Sequence, residues 1–155
     1  MVIFTSKIKS KGMKRMILQN EKIEKTCCFY VSDFHLEMIL VPYINNKIEE
    51  NITILTEKNL KDTVETLVSK MNLKDENKEK ILNLDWEGAK NIENSSNVII
   101  IGTDDYIEKK HYEIQNANPL SVLDCYNFDE KKDNINNIVS KYNNTLNTLG
   151  VANFE

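Results

Sequence analysis

A chain of 155 residues with 41% apolar and 28% charged side chains has the size and make-up of one globular domain, and its apolar residues gather into runs, which excludes general disorder. Four glycines and two prolines are few for a sandwich or barrel built on many tight turns. A formal charge of −4 with acids and bases interspersed argues against nucleic acid as a direct partner, and no apolar run reaches the ~18 residues of a membrane span. Three cysteines, two of them adjacent and none in zinc spacing, make a poor disulfide framework and point to a reducing, cytoplasmic setting.

Residues 1–24 read as a polar lead-in, in which MVIFTSKIK has strand character and Met13 offers a second translation start. The first firm element is a strand at 27–31. Ser32 then caps a helix with Asp33 in its first turn, where a negative charge meets free amide ends. Its apolar stripe reads Phe34, Met38, Val41, Ile44 and Ile48, widened by Leu36, Leu40 and Tyr43. Pro42 predicts a bend or break in that helix.

A second strand follows at 52–56, and Asn59 with Asp62 opens a helix whose stripe is Leu60, Val64, Leu67, Val68 and Met71. Asp75 starts a short helix through Ile81 to Leu84, leading to Trp86, and 85–97 is polar and reads as loop or short helix. The most apolar strand, 98–101, is closed by Gly102, and Asp104 starts a short helix. Pro119 stops any helix ahead of the strand at 120–126. From Asp129 to Gly150 the pattern predicts a final helix burying Ile135, Ile138, Val139, Tyr142, Leu146 and Leu149, leaving 151–155 as a tail. Strands that alternate with helices and lack half-solvated patterning predict an α/β fold, a three-layer, mainly parallel sheet with helices on both faces, as one domain over 25–150.

No phosphate loop, dinucleotide fingerprint, zinc-protease helix or nucleophile elbow occurs in the chain. The positions that would face a ligand are those at the carboxyl ends of parallel strands, where open sheets bind. They are Tyr30, Ser32 and Asp33 after the first strand, Thr103, Asp104 and Asp105 after Gly102, and Tyr126 on the last strand. Paired carboxylates there suit a divalent cation or proton transfer, with Glu57 as a further oxygen. The plainer reading of the same residues is helix capping, and adjacent aspartates point in different directions. The cysteines read as core, and His35 and His111 as surface or capping residues. No catalytic residue, metal or cofactor is expected.

Three stretches resemble the MEDS family, the sensory domain associated with methanogen and methylotroph regulators. They are TCCFYVSDFHLEMILVPYINNKIEENITIL, the two helical segments after it, and NPLSVLDCYNFDEKKDNINNIVSKY, together covering 25–142. The resemblance implies a RecA-like fold without a working phosphate loop, used to sense a ligand or partner. Where the family often has a histidine ahead of its first strand this chain has Thr26, and the family's glycine before strand 2 is missing from NNKIEEN. The expectation is a non-catalytic sensory or regulatory domain that works through a protein partner or as a homodimer, with a small-molecule ligand as a further option. The alternatives are an enzyme using Asp33, Asp104 and Asp105, and an assembly protein with a large apolar interface.

Overall fold

In the computed structural model, which describes residues 23–88 and 96–153, the strands form one six-stranded sheet. The strands are β1 (Glu24–Tyr30), β2 (Ile52–Thr56), β3 (Asn97–Ile101), β4 (Ser121–Asn127), β5 (Asn144–Asn147) and β6 (Gly150–Asn153). Their spatial order is β2-β3-β4-β1-β5-β6, parallel throughout except for the β5–β6 hairpin. The four strands expected from the sequence are therefore neighbours in a parallel sheet. The proposed lead-in elements within 1–22 and most of the 85–97 segment lie outside the described residues.

Both faces of the sheet are covered, which is why its strands are apolar almost without alternation. Cys28, Ile54, Ile99, Leu123 and Cys125 point to one face, where α1 (Asp33–Asn46), α2 (Lys61–Lys70) and α3 (Asp75–Leu82) pack. Cys27, Leu55, Val98, Ile100 and Val122 point to the other, under α4 (Asp104–Ile114) and α6 (Ile135–Val139). Between β4 and α6 lies a single turn of helix, α5 (Phe128–Lys131). Among the described residues no helix is long and apolar enough to cross a membrane.

Three details depart from the sequence reading. From Met38 to Ile44 every residue of α1 is apolar, so the pattern carries little information on which side faces in. The sheet, α2 and α3 select Leu36, Ile39, Leu40, Tyr43 and Ile44 for burial, while Phe34 and Met38 of the expected stripe stay exposed. Helix α1 also runs unbroken through Pro42. The amide that proline lacks would have bonded the carbonyl of half-exposed Met38, and Pro42 is itself exposed, so the gap falls on the water side.

The third departure is the end of the chain, where the predicted final helix is replaced by α5, α6 and the β5–β6 hairpin. Asn and Thr, which dominate 143–148, are poor helix formers that bond readily to nearby backbone. Without β5, the far edge of β1 would lack a partner. Asn143 docks the new strand by accepting the Lys25 amide at 2.9 Å through Oδ1 and donating its own amide to the Lys25 carbonyl at 2.8 Å. Asn147 Oδ1 accepts the Leu149 amide at 2.8 Å, and Gly150 follows at φ +113°, a conformation costly for other residues. The expected tail thus contributes β6.

The orientation of α1 is testable by urea denaturation. Leu36→Ala is expected to destabilise the fold by about 2–5 kcal/mol through the cavity it leaves, and Phe34→Ala by less than about 0.5 kcal/mol. Equal losses would mean that the helix buries the other side.

Candidate functional site

A parallel sheet puts the starts of its connecting helices at one end, and here that carboxyl end combines capped helices, ion pairs and exposed apolar side chains. Only Val31 and Ser32 separate β1 from α1, too short a connection to wrap a phosphate. Ser32 Oγ accepts the His35 amide at 3.1 Å, and His35 Nδ1 accepts the Val31 amide at 3.0 Å, which locks the turn. Lys58, just past β2, reaches across to Asp33 at 2.8 Å and lies over the Tyr30 ring, 5.7 Å from its centre.

After β3, Thr103 caps α4 by accepting the Tyr106 amide, and its own amide donates to Glu57 Oε1 at 2.8 Å. Gly102 is required by this close approach. A Cβ there would stand 2.5 Å from Glu57 Oε1 and 2.6 Å from the Tyr106 ring. Asp104 is paired with Lys131 from α5 through Oδ2, while its buried Oδ1 has no partner among the described residues.

Around these pairs stand Val31, Phe34, Met38 and Phe128, exposed by 57%, 58%, 43% and 36%. Tyr30 pairs in register with Asn127, so Val31 and Phe128 each directly follow the end of one of two adjacent strands. Phe34 and Met38 are one helical turn apart on the same side of α1. Phe34 and Met38 thus leave apolar surface on the outer side of α1, and Val31 and Phe128 leave it just past the ends of β1 and β4.

The second polar assembly is buried. Asp124, fully enclosed on β4, takes the Nε2–H of His111 at 2.6 Å and the hydroxyl of Tyr142 at 2.5 Å on the same Oδ2 oxygen. Since a hydroxyl has one proton, Tyr142 accepts from Tyr126 at 2.6 Å. Asp124 Oδ1 has no hydrogen-bond partner among the described residues. Burial, then the Asp124 charge, pushes the Tyr142 hydroxyl well above its ordinary value, so it stays a donor. Cys27 lies on the same face and burial pushes its thiol up to about 12, while Cys125, on the opposite face, is also raised by burial. Neither is a thiolate nucleophile at neutral pH.

Glu37, on the inner side of α1, accepts the Thr63 hydroxyl through Oε2 and keeps Oε1 buried without a partner among the described residues. Burial pushes its carboxyl above the ordinary value, the Thr63 donor draws it partly back, and Asp33 raises it further.

Of the residues expected to face a ligand, Ser32, Asp33, Thr103, Asp104 and Asp105 gather at the carboxyl end, with Asp105 exposed beside Asp104. Tyr30 and Tyr126 are buried, on opposite faces of the sheet. The capping role weighed for Ser32 and Thr103 is the one they hold here. His111, expected at the surface, is buried against Asp124 because α4 is longer than expected and carries it over the sheet. A lone acid within the apolar run SVLDCYN was the signal for Asp124. For Lys58 and Lys131 the sequence offered none.

No group of three or more His, Cys, Asp or Glu positioned to hold a metal ion occurs among the described residues. An open depression of about 350 Å³ runs along 132–137, directly after α5. The chain matches no protein-family model, no curated protein and no solved structure.

Two measurements check these assignments. Tyr142→Phe is expected to cost about 1–3 kcal/mol, since it strips a donor from Asp124 and a partner from Tyr126. Combined with Tyr126→Phe the losses should fall short of additive by at least about 0.5 kcal/mol, and strict additivity would mean that the hydroxyls do not form a chain. For Glu37, the folded protein holds the proton more tightly than the unfolded chain. The stability this contributes is complete below the unfolded value near 4.5 and is lost as pH rises through the raised folded value. Urea midpoints should accordingly fall from about pH 4.5 to neutrality, and less so in Glu37→Gln, which keeps an acceptor for Thr63.

Proposed function

We infer that this chain is a regulatory domain of RecA-like type, akin to the MEDS sensory domains, which acts by binding a protein partner at the carboxyl rim of its sheet. The observation that carries the reading is the division of labour at that rim. Lys58 is engaged with Asp33, Lys131 with Asp104 and Glu57 with Thr103, while the large apolar side chains Val31, Phe34, Met38 and Phe128 remain exposed. Exposed apolar side chains set among charged groups are how a protein-recognition surface is built. The strand order, with β1 between β4 and β5 and β2 at the edge, supports the RecA-like part of the reading.

A two-residue β1–α1 connection supports a binding role over nucleotide turnover. An enzyme built on Asp33 and Asp104 would first have to release Lys58 and Lys131. In the regulatory reading those lysines can instead report a bound state. A partner that prefers one arrangement of the rim shifts the population toward it in proportion to its preference.

A photo-crosslinking residue at position 34, with one at Tyr112 on α4 as control, tests this in cells of the source organism. Position 34 should yield one dominant crosslinked protein and position 112 none. The purified partner should bind the chain at least tenfold more weakly after Phe34→Asp, a loss of about 1.4 kcal/mol. Equal crosslinking at both positions, or binding indifferent to Phe34→Asp, overturns the reading.

A further inference from the structure

The outermost strands of a sheet turn amides and carbonyls sideways, and natural sheets cover or charge such edges. At the β2 edge Thr53, Ile54, Leu55 and Thr56 are all buried. The β6 edge is different. Among the described residues Gly150–Asn153 pair with β5 alone, and Val151, Ala152 and Asn153 are exposed. The strand carries neither Lys nor Pro, the residues that commonly block edge pairing. Leu149, in the turn that feeds β6, is 95% exposed.

The charge pattern decides what fits this edge. The chain is 28% charged, yet no charged residue occurs from Tyr142 to Asn153. When a strand pairs antiparallel with its own copy about a twofold axis, side chains near the axis face their like. A charged strand then repels itself and an uncharged one does not. A strongly basic or acidic partner strand would find no complement here. We propose that β6 pairs antiparallel with β6 of a second copy of this chain, joining the two six-stranded sheets edge to edge.

Every second residue of β6 turns its amide and carbonyl outward, and these supply the new ladder. Val151 stands opposite Leu146 and so points to the α1 face. The twofold axis lies normal to the sheet and keeps Val151 of both copies on that face, where they pack together. With the β2 edge covered, pairing closes at two copies. β5 is parallel to β1, and β6 runs back from the carboxyl end, so the two copies turn their rims to opposite ends. Both rims stay open, and pairing is independent of whether a rim binds a partner. An edge of four residues is small beside a standard interface, which places half-pairing at ~10–100 µM.

Sedimentation equilibrium of the full chain tests this. Between ~1 µM and ~1 mM the mass should climb from 18.0 kDa to twice that value, as mass action requires. Val151→Lys sets like charges across the axis at an exposed position, and should raise the half-pairing concentration at least tenfold while the urea midpoint stays in place. A short bis-maleimide linker locates the contact, since Cys27, Cys28 and Cys125 are buried and spared. It should join two copies of Ala152→Cys and leave Tyr112→Cys, exposed on α4, unjoined. Phe34→Asp should leave the mass curve unchanged. A single-chain mass throughout, masses rising past two chains, equal joining at both positions, or indifference to Val151→Lys would overturn the proposal. So would pairing lost in Phe34→Asp and kept in Val151→Lys, which would put the copies on the rim.

Discussion

A carboxylate shut off from water has to be given its donors by the protein, and Asp124 imposes that demand at the centre of the sheet. Its two donors come from different parts of the chain, His111 on α4 and Tyr142 after α6. Meeting the demand therefore fixes how α4 turns on the sheet and where the chain emerges from α6. One residue beyond Tyr142, Asn143 is in place to bond Lys25, and β5 can zip against β1. A polar contact on one face thus decides how the sheet is extended at its far side. Removing one member of such a buried set leaves the others without partners, which is why it behaves as a unit.

The carboxyl end follows a different logic. Helix starts bring acids there, and Lys58, just past β2, and Lys131, at the end of α5, answer two of those acids. The apolar residues that share the space are left over from burial. α1 offers more apolar surface than the sheet, α2 and α3 can cover, and the excess appears as exposed Phe34 and Met38.

Much of the architecture was legible because β1 through β4 are dense runs of branched and sulfur-bearing residues, and β2 was bounded at its observed residues, 52–56. The gathering of Ser32, Asp33, Thr103, Asp104 and Asp105 was legible too, since strand polarity alone brings strand ends together. What escaped was information held in three dimensions. The rotation of α1 depends on neighbours rather than on its own period. The hairpin at 144–153 forms because β1 needs a second partner, and local pattern alone favoured a helix there. Asp124 was passed over because a single acid in a strand says nothing of what lies above it.

The position of β1 has a consequence for how the domain comes into being. Among the described strands it is the first to be made, yet its neighbours β4 and β5 are the last two parallel strands to leave the ribosome. Until they arrive, an apolar strand waits beside α1 without its sheet neighbours, and the pairing open to the described strands is β2 with β3. Such non-local pairing folds slowly and exposes sticky edges meanwhile. Assembly should therefore be a late, concerted event after synthesis, and until then the emerging chain is a natural client for chaperones.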